Sequence, residues 1–217
     1  MNPDSLLELL RSRATVRVFE DRPVPRQILE RVLEAAIRAP SATNRQPWRF
    51  SVVTGGAARE QLVRLTQDAV AEIRAAVTSR SSPDHLADYW SYFTKPMASA
   101  RAIIVVSYRT FPDTMAGLVR DAGGDPARFC TQFQWSAELS AASAATMLLL
   151  LQAHAEGLGA CWMSGPLLAS ERICECLGIR KPWQMLGGIA LGWPAERQEP
   201  TPRKPLAKVV DWIEDAP

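Results

Sequence analysis

The chain has 217 residues, of which 47% are hydrophobic and 22% charged, so it can bury a core of its own and lacks the composition of a disordered or fibrous protein. Its net charge is only +2, which gives no reason to expect nucleic acid or an anionic membrane as a partner. Any anion-binding site must therefore be local. The longest stretch without charge, residues 139–155, contains polar side chains and is shorter than the about 20 apolar residues that cross a membrane.

The first half of the chain alternates predicted helices and strands. Apolar residues at helical or alternating spacing identify the elements, and Pro, Gly and Asn mark their ends. In chain order they are a helix capped by Asn2-Pro3, an extended segment at residues 15–19, a helix from Pro25 that Pro40 stops, a strand at 48–54, helices at 59–78 and 86–93, and a strand at 102–108. The last of these reads AIIVVSY, apolar without alternation, which indicates a central strand covered on both faces.

The second half begins with residues 109–127, which we interpret as a mobile excursion. A helix apolar almost all round follows at 129–156 and must be buried. The remaining predicted elements are a strand starting at 161, a short helix at 170–179 closed by Gly178, and a last core strand at 185–193. The final 24 residues are rich in proline but end in the apolar VVDWI, so we expect this tail to dock on its own core or on a partner subunit. We predict a single α+β domain over residues 1–217.

Three polar segments could hold a ligand. Arg13, Thr15 and Arg17 alternate along an extended segment and so share a face, where two guanidiniums and a hydroxyl would form a phosphate clamp; a solvated basic strand edge is the alternative. The stiff loop PSATNRQPW at 40–48 suits a flat polar heterocycle, or simply connects a helix to a strand. In GLGACWMSGP at 157–166 small residues let backbone N–H groups approach a ligand, or merely cap a helix before a strand.

Other chemistry has little support. The two cations Arg203 and Lys204 could be surface charge. The sequence has no G-x-x-x-x-G-K loop, no G-x-G-x-x-G and no G-x-S-x-G, which argues against a phosphate loop, a Rossmann nucleotide site and a hydrolase. The cysteines and histidines are Cys130, Cys161, Cys174, Cys176, His85 and His154. Their spacing matches neither a disulfide framework nor a metal site, so we expect reduced thiols in a cytoplasmic protein, a core histidine at 154 and no metal.

The order of the segments is more specific than any one of them. R-x-T-V-R-x-F, then A-P-S-A-T-N-R-Q-P-W-R-F, then G-L-G-A-C-W-M-S-G, and finally G-W-P followed by R-K-P-L, resembles the FMN-dependent nitroreductase family. The A-P-S-x-x-N-x-Q-P-W block is the specific part. The matching blocks extend from Arg13 to Leu206, nearly the whole chain.

The resemblance implies a fold and a site. The fold would be an α+β sandwich with a central mixed sheet flanked by helices, in an obligate homodimer that exchanges C-terminal tails and binds two FMN molecules at its interface. The implied contacts are Arg13, Thr15, Arg17 and Arg203 at the phosphate and ribityl end, Pro40, Ser41 and Asn44 from the other subunit, and backbone groups of Trp162, Met163, Ser164 and Gly165 along the isoalloxazine edge. Lys95 is a further candidate for the phosphate, and Tyr89, Trp90, Tyr92 and Phe93 could stack an aromatic acceptor.

The implied activity is ping-pong hydride transfer from NADH or NADPH, through FMN, to a nitroaromatic, a quinone or a similar electron-poor small molecule. No catalytic side chain is expected, because the flavin carries the chemistry. A specialised relative remains open: an ene reductase, a dehalogenase or an azoline dehydrogenase. A flavin-destroying enzyme of cobalamin synthesis is disfavoured by the loop SATNRQPW, and a non-enzymatic flavin carrier is the alternative outside enzymes.

Overall fold

A four-stranded sheet lies at the centre of the computed structural model, which describes residues 2–76, 94–112, 114–130 and 137–214. The strands are β1 (Trp48–Val53), β2 (Ala102–Arg109), β3 (Gly159–Met163) and β4 (Trp183–Gly192). Their order is β1-β2-β4-β3, so β2 and β4 are central and β1 and β3 form the edges.

Helices surround this sheet and account for most of the remaining described residues. They are α1 (Pro3–Ser12), α2 (Arg26–Ala36), α3 (Gly56–Ala76), α4 (Lys95–Ser99), α5 (Thr114–Asp121), α6 (Ala127–Cys130), α7 (Ala137–Ala155) and α8 (Ser170–Cys176), with short 3₁₀ turns at Ala42–Asn44, Gly165–Ala169 and Leu206–Lys208. None of the described helices is long and apolar enough to cross a membrane.

Both faces of β2 are buried, as its apolar run predicts. Ile103 and Val105 belong to one apolar cluster, with side chains from α3 and α8. Ile104 and Val106 point the other way and join side chains from α2 and α7. Successive strand residues face opposite sides, so an apolar run without alternation is what a strand between two helical layers requires.

The N-terminal segment after α1 is held along the outer side of β3. Val16 donates its backbone N–H to the carbonyl of Ala160 at 3.1 Å, and the backbone of Ala195 donates to Val18 at 3.1 Å. A Cβ on Gly159 would lie 2.6 Å from the Cβ of Val16, so only glycine lets the two backbones approach this closely. The predicted extended segment is therefore confirmed, and Gly159 fixes its distance from the sheet.

The α+β architecture is confirmed, but every pairing among the described strands is antiparallel, whereas a mixed sheet was expected. Helices between two strands usually connect parallel neighbours. Here the end of β1 pairs with the start of β2, with Val53 opposite Ile103, so α3, α4 and the intervening residues return the chain to the end of the sheet that it left.

Residues 109–127 are not the irregular excursion that we interpreted, because α5 lies within them. Gly123, at φ +77°, ends this helix, and the N–H of Gly124 bonds back to the carbonyl of Val119 at 2.8 Å. The Asp125 side chain then accepts a hydrogen bond from the N–H of Ala127 at the start of α6. The signals for a helix stop and a helix start were therefore present in the sequence as Gly123 and Asp125.

Within the described residues, the predicted apolar helix is helical at Ala127–Cys130 (α6) and at Ala137–Ala155 (α7), and residues 131–136 lie outside them. The predicted helix at 86–93, with its four aromatic residues, lies outside the described residues. The C-terminal tail does not dock on its own core over the described residues: Trp212 is 82% and Ile213 83% exposed. Docking on a partner remains the other alternative.

Candidate functional site

Two arginines from opposite ends of the chain lie near enough for the charge of one to act on the other. Arg13, at the end of α1, is half-buried, and burial first and the charge of Arg203 second lower the pKa of its guanidinium. No carboxylate of the described residues forms an ion pair with Arg13 or Arg203, although Arg203 donates a hydrogen bond to the carbonyl of Thr201 at 3.0 Å. Two nearby cations with no carboxylate partner among the described residues can attract an anion.

The other members of the predicted clamp follow on the same segment. Thr15 is half-buried and Arg17 is exposed. Burial raises the pKa of the Cys161 thiol in β3, and the positive charge of Arg17 lowers it by a smaller amount. Ser99 of α4 donates a hydrogen bond to the Arg17 carbonyl at 3.4 Å, so the helix that begins with the exposed Lys95 is tied to the clamp segment.

His154 belongs to this site, which the sequence analysis missed by treating it as a core histidine. Its Nε2 lies 2.9 Å from the Oγ of Ser12, the residue before Arg13. The Ser12 hydroxyl donates to the carbonyl of Leu9, which leaves Nε2–H as the donor to Ser12. Burial first and the charge of Arg13 second lower the pKa of His154. No local sequence signal could reveal this pair, because the partners lie 142 residues apart.

The loop that follows α2 adopts a strained conformation. Thr43, Asn44 and Gln46 have φ values of 51°, 53° and 46°, a region that a β-branched residue such as Thr rarely enters. The Oγ of Ser41 accepts the backbone N–H of Gln46 at 3.0 Å, and the Oδ1 of Asn44 accepts the Gln46 side-chain amide at 3.1 Å. The hydroxyl proton of Ser41 and the amide N–H groups of Asn44 remain as donors, which suits a ligand with acceptor atoms.

The end of β3 presents an open backbone edge and an aromatic ring. Trp162 is 39% exposed. Its indole lies close to Gly187 of β4, where a Cβ would be only 2.8 Å from the indole Nε1. Met163 and Gly165 are buried, whereas Ser164 is exposed between them. β3 pairs only with β4 in the described sheet, and no backbone group of the described residues pairs with its outer edge beyond Ala160. A flat ligand can therefore approach this edge.

One chain brings together only part of the predicted site. Arg13, Thr15, Arg17 and Arg203 gather at the N-terminal segment beside β3. The loop with the exposed Pro40 is held elsewhere, because Arg45 forms an ion pair with Glu138 of α7 at 3.1 Å. No hydrogen bond or ion pair between described residues joins that loop to the clamp or to β3. Its role at the site of another subunit stays a prediction.

The lowered pKa of His154 predicts a pH dependence of stability. The unfolded chain binds a proton at this histidine near its ordinary pKa of about 6.5, whereas the folded chain resists it, so the free energy of unfolding should fall as the pH drops below about 6.5. His154→Gln keeps a donor for Ser12 and should flatten the dependence of Tm on pH between about 5 and 7.

Inorganic phosphate provides the control, since an anion in the clamp would favour the protonated ring. Phosphate should reduce the loss of Tm at low pH more than sodium chloride of equal ionic strength does. A His154→Gln variant with the pH profile of the parent chain would contradict the assignment.

Comparison with known proteins agrees with the fold and the order of the motifs. Residues 10–193 match the Nitroreductase family. A protein of Thermus thermophilus named NADH dehydrogenase is 30% identical over 92% of this chain and 92% of its own length. Among solved structures, a BluB-like flavoprotein of Clostridium difficile superposes with a TM-score of 0.85 at 21% identity, covering 96% of this chain and 99% of that one. The FMN and NADPH-dependent nitroreductase NfnB of a Sphigopyxis strain gives a TM-score of 0.74 at 21% identity, covering 95% of this chain and 98% of that one. The chain belongs to the nitroreductase family.

Proposed function

We propose that this protein is a homodimeric FMN-dependent oxidoreductase that takes hydride from NADH or NADPH and passes it to a nitroaromatic, a quinone or a similar electron-poor small molecule. The observation that carries this proposal is that the charges of Arg13 and Arg203 act on each other while no carboxylate of the described residues pairs with either. A permanent dianion such as the phosphate of FMN removes the repulsion between them.

The residues present offer groups suited to each part of FMN. Arg13, Arg17 and Arg203 would hold the phosphate, and Thr15 would add a hydroxyl toward the ribityl chain. Backbone groups of residues 162–165 lie along the edge of the ring system, where the absence of a side chain at Gly187 leaves room for the Trp162 indole. FMN supplies the hydride chemistry when bound. The protein binds it, orients it and limits the access of water.

The loop of the partner subunit completes each site. Its strained backbone is fixed by hydrogen bonds among Ser41, Asn44 and Gln46, and after Pro40 it projects donors that are not used within the loop. Strained backbone of this kind occurs where a ligand site needs a rigid geometry. Ser41 and Asn44 therefore donate to acceptor atoms of the flavin ring bound mainly by the other subunit.

The dimer is supported by apolar surface that one chain leaves open. α1 buries none of its residues, and Leu6, Leu7 and Leu10 are each more than 40% exposed. Leu206 and Trp212 of the tail are 74% and 82% exposed. Exposed apolar surface of this extent marks an interface, and the tail covers the partner subunit. Cys161, Cys174 and Cys176 are free thiols, which fits a cytoplasmic protein.

The spectrum of the bound flavin tests the activity. The purified protein is expected to be yellow, with about one FMN per chain, to bleach on anaerobic addition of NADH or NADPH, and to recover its colour when a nitroaromatic or a quinone is added. A flavin that does not cycle indicates a carrier. Loss of the flavin spectrum during turnover indicates a flavin-consuming enzyme instead of a reductase.

Arg13→Ala and Arg203→Ala should each weaken FMN binding by roughly 1.5 to 3 kcal/mol, because each removes a charge-assisted bond to the phosphate. The flavin-free variants should keep or gain Tm, since the repulsion between the two guanidiniums disappears. Fluorescence titration measures the Kd for FMN and for riboflavin, which has no phosphate and should lose less. Arg26→Ala is the matched control, because Arg26 is exposed and pairs only with Glu30. Equal Kd values for FMN in all variants would refute the clamp.

Removal of residues 206–217 leaves Arg203 in the chain but should still dissociate the dimer and release the flavin. Each large apolar side chain of the tail would stabilise the dimer by on the order of 1.5 to 3 kcal/mol when buried on the partner. Sedimentation equilibrium gives the mass and absorbance gives the flavin content. Trp212→Ala should act in the same direction, and Lys208→Ala, which removes a polar side chain of the tail, should not. A shortened protein that is still a dimer with unchanged Tm would disprove the docking of the tail.

A further inference from the structure

A row of alternating arginine and aromatic side chains lies at one end of the sheet, outside the proposed flavin contacts, and only its Trp183 packs against the core. In order it consists of Arg45, Phe111, Arg109, Trp183 and Arg49. The guanidinium carbons of Arg45 and Arg109 lie 5.2 and 4.4 Å from the centre of the Phe111 ring. Those of Arg109 and Arg49 lie 5.6 and 5.9 Å from the Trp183 ring. We call these five residues the arginine row.

The strand register fixes most of the row. Arg109 is directly opposite Trp183, so their side chains share a face of the sheet. Arg49 is opposite Ser107, two residues from Arg109, and therefore lies on the same face. The backbone N–H of Arg109 also donates to the carbonyl of Pro47 at 3.0 Å, which joins the end of β2 to the segment that carries Arg45.

This end of the sheet departs from regular structure. The pairing of β2 with β4 shifts between Val106 and Ser107, so a bulge sets the direction of the residues that follow. The Oγ of Ser107 is buried without a hydrogen-bond partner among the described residues. Irregular pairing and an unsatisfied polar atom both cost stability, and such costs concentrate at functional sites.

The described residues balance only part of the charge of the row. Arg45 has an ion pair with Glu138, but no carboxylate of the described residues pairs with Arg49 or Arg109. Aromatic rings hold the guanidinium planes in place without neutralising them or using their N–H donors. A guanidinium held in this way offers forked donors that match the oxygens of a phosphate or a carboxylate.

The row begins at the proposed flavin site. Arg45 directly follows Asn44, which the proposed function places at the flavin of the partner subunit, so the row starts one residue along the chain from that site. We propose that the arginine row binds an anionic group of a substrate: the 2′-phosphate of NADPH or the carboxylate of an aromatic acceptor. It is a specificity site that favours charged substrates, and it rests on the proposed function.

Pairs of substrates that differ only in the anionic group test this inference. In steady-state kinetics, Arg109→Gln and Arg49→Gln should each lower kcat/KM about 5- to 20-fold for NADPH relative to NADH, or for 4-nitrobenzoate relative to nitrobenzene, mainly through KM. Arg26→Gln is the matched control and should leave both ratios within about twofold of the parent protein. If only the ratio of kcat/KM for NADPH to that for NADH changes, the row binds the 2′-phosphate. If only the ratio for 4-nitrobenzoate to nitrobenzene changes, the row binds the carboxylate.

A binding measurement separates failure of this inference from failure of the proposed function. Calorimetry with adenosine 2′,5′-bisphosphate and with 4-nitrobenzoate needs no turnover, so it applies even if the flavin does not cycle. The parent protein should bind at least one of them, with affinity reduced in both row variants. Arg49 is exposed, so its variant tests the row even if Arg109→Gln does not fold. Unchanged substrate ratios together with unchanged binding in folded variants would overturn the inference.

Discussion

The half-buried positive charge of Arg13 is the constraint on which the site depends. Burial is the larger cost of keeping this guanidinium charged, and the charge of Arg203 adds to it. Burial and, to a smaller extent, the charge of Arg13 also lower the pKa of His154, which reaches the clamp through Ser12. Without an anion the arrangement is unfavourable, and with one it becomes a network of charge-assisted hydrogen bonds. The flavin phosphate is thus proposed as part of the electrostatic balance of the fold as well as its ligand.

Close backbone approach gives the site its shape. Gly159 lets the clamp segment lie against β3, and Gly187 leaves room for the Trp162 indole on the neighbouring strand. Both glycines lie within strands, where they weaken the sheet by removing a side chain that could pack. Their use here exchanges local stability for close packing of Val16 and Trp162 against the strands. An edge strand is also where backbone N–H groups remain available for a ligand.

A single chain leaves apolar surface exposed and brings together only part of the proposed site. Leucines of α1 and the end of the tail are exposed, and no hydrogen bond or ion pair of the described residues joins the loop after α2 to the clamp. The proposed second subunit would cover these apolar surfaces and receive the loop. The arginine row extends this arrangement outward from the same loop, so substrate selection would depend on the dimer as well.

The sequence by itself determined the central strand, the capped first helix and the family, because hydrophobic period, caps and ordered motifs are local properties, whereas only the structure showed that the end of the tail is exposed. The sequence placed Arg13 and Arg203 in one site only through the resemblance. Contacts between distant residues were decided by the tertiary structure: the His154 bond to Ser12, the antiparallel return of β2 beside β1, and the cross-strand meeting of Arg109 with Trp183. No local pattern encodes them, since each depends on how helices and strands pack and on the register between strands.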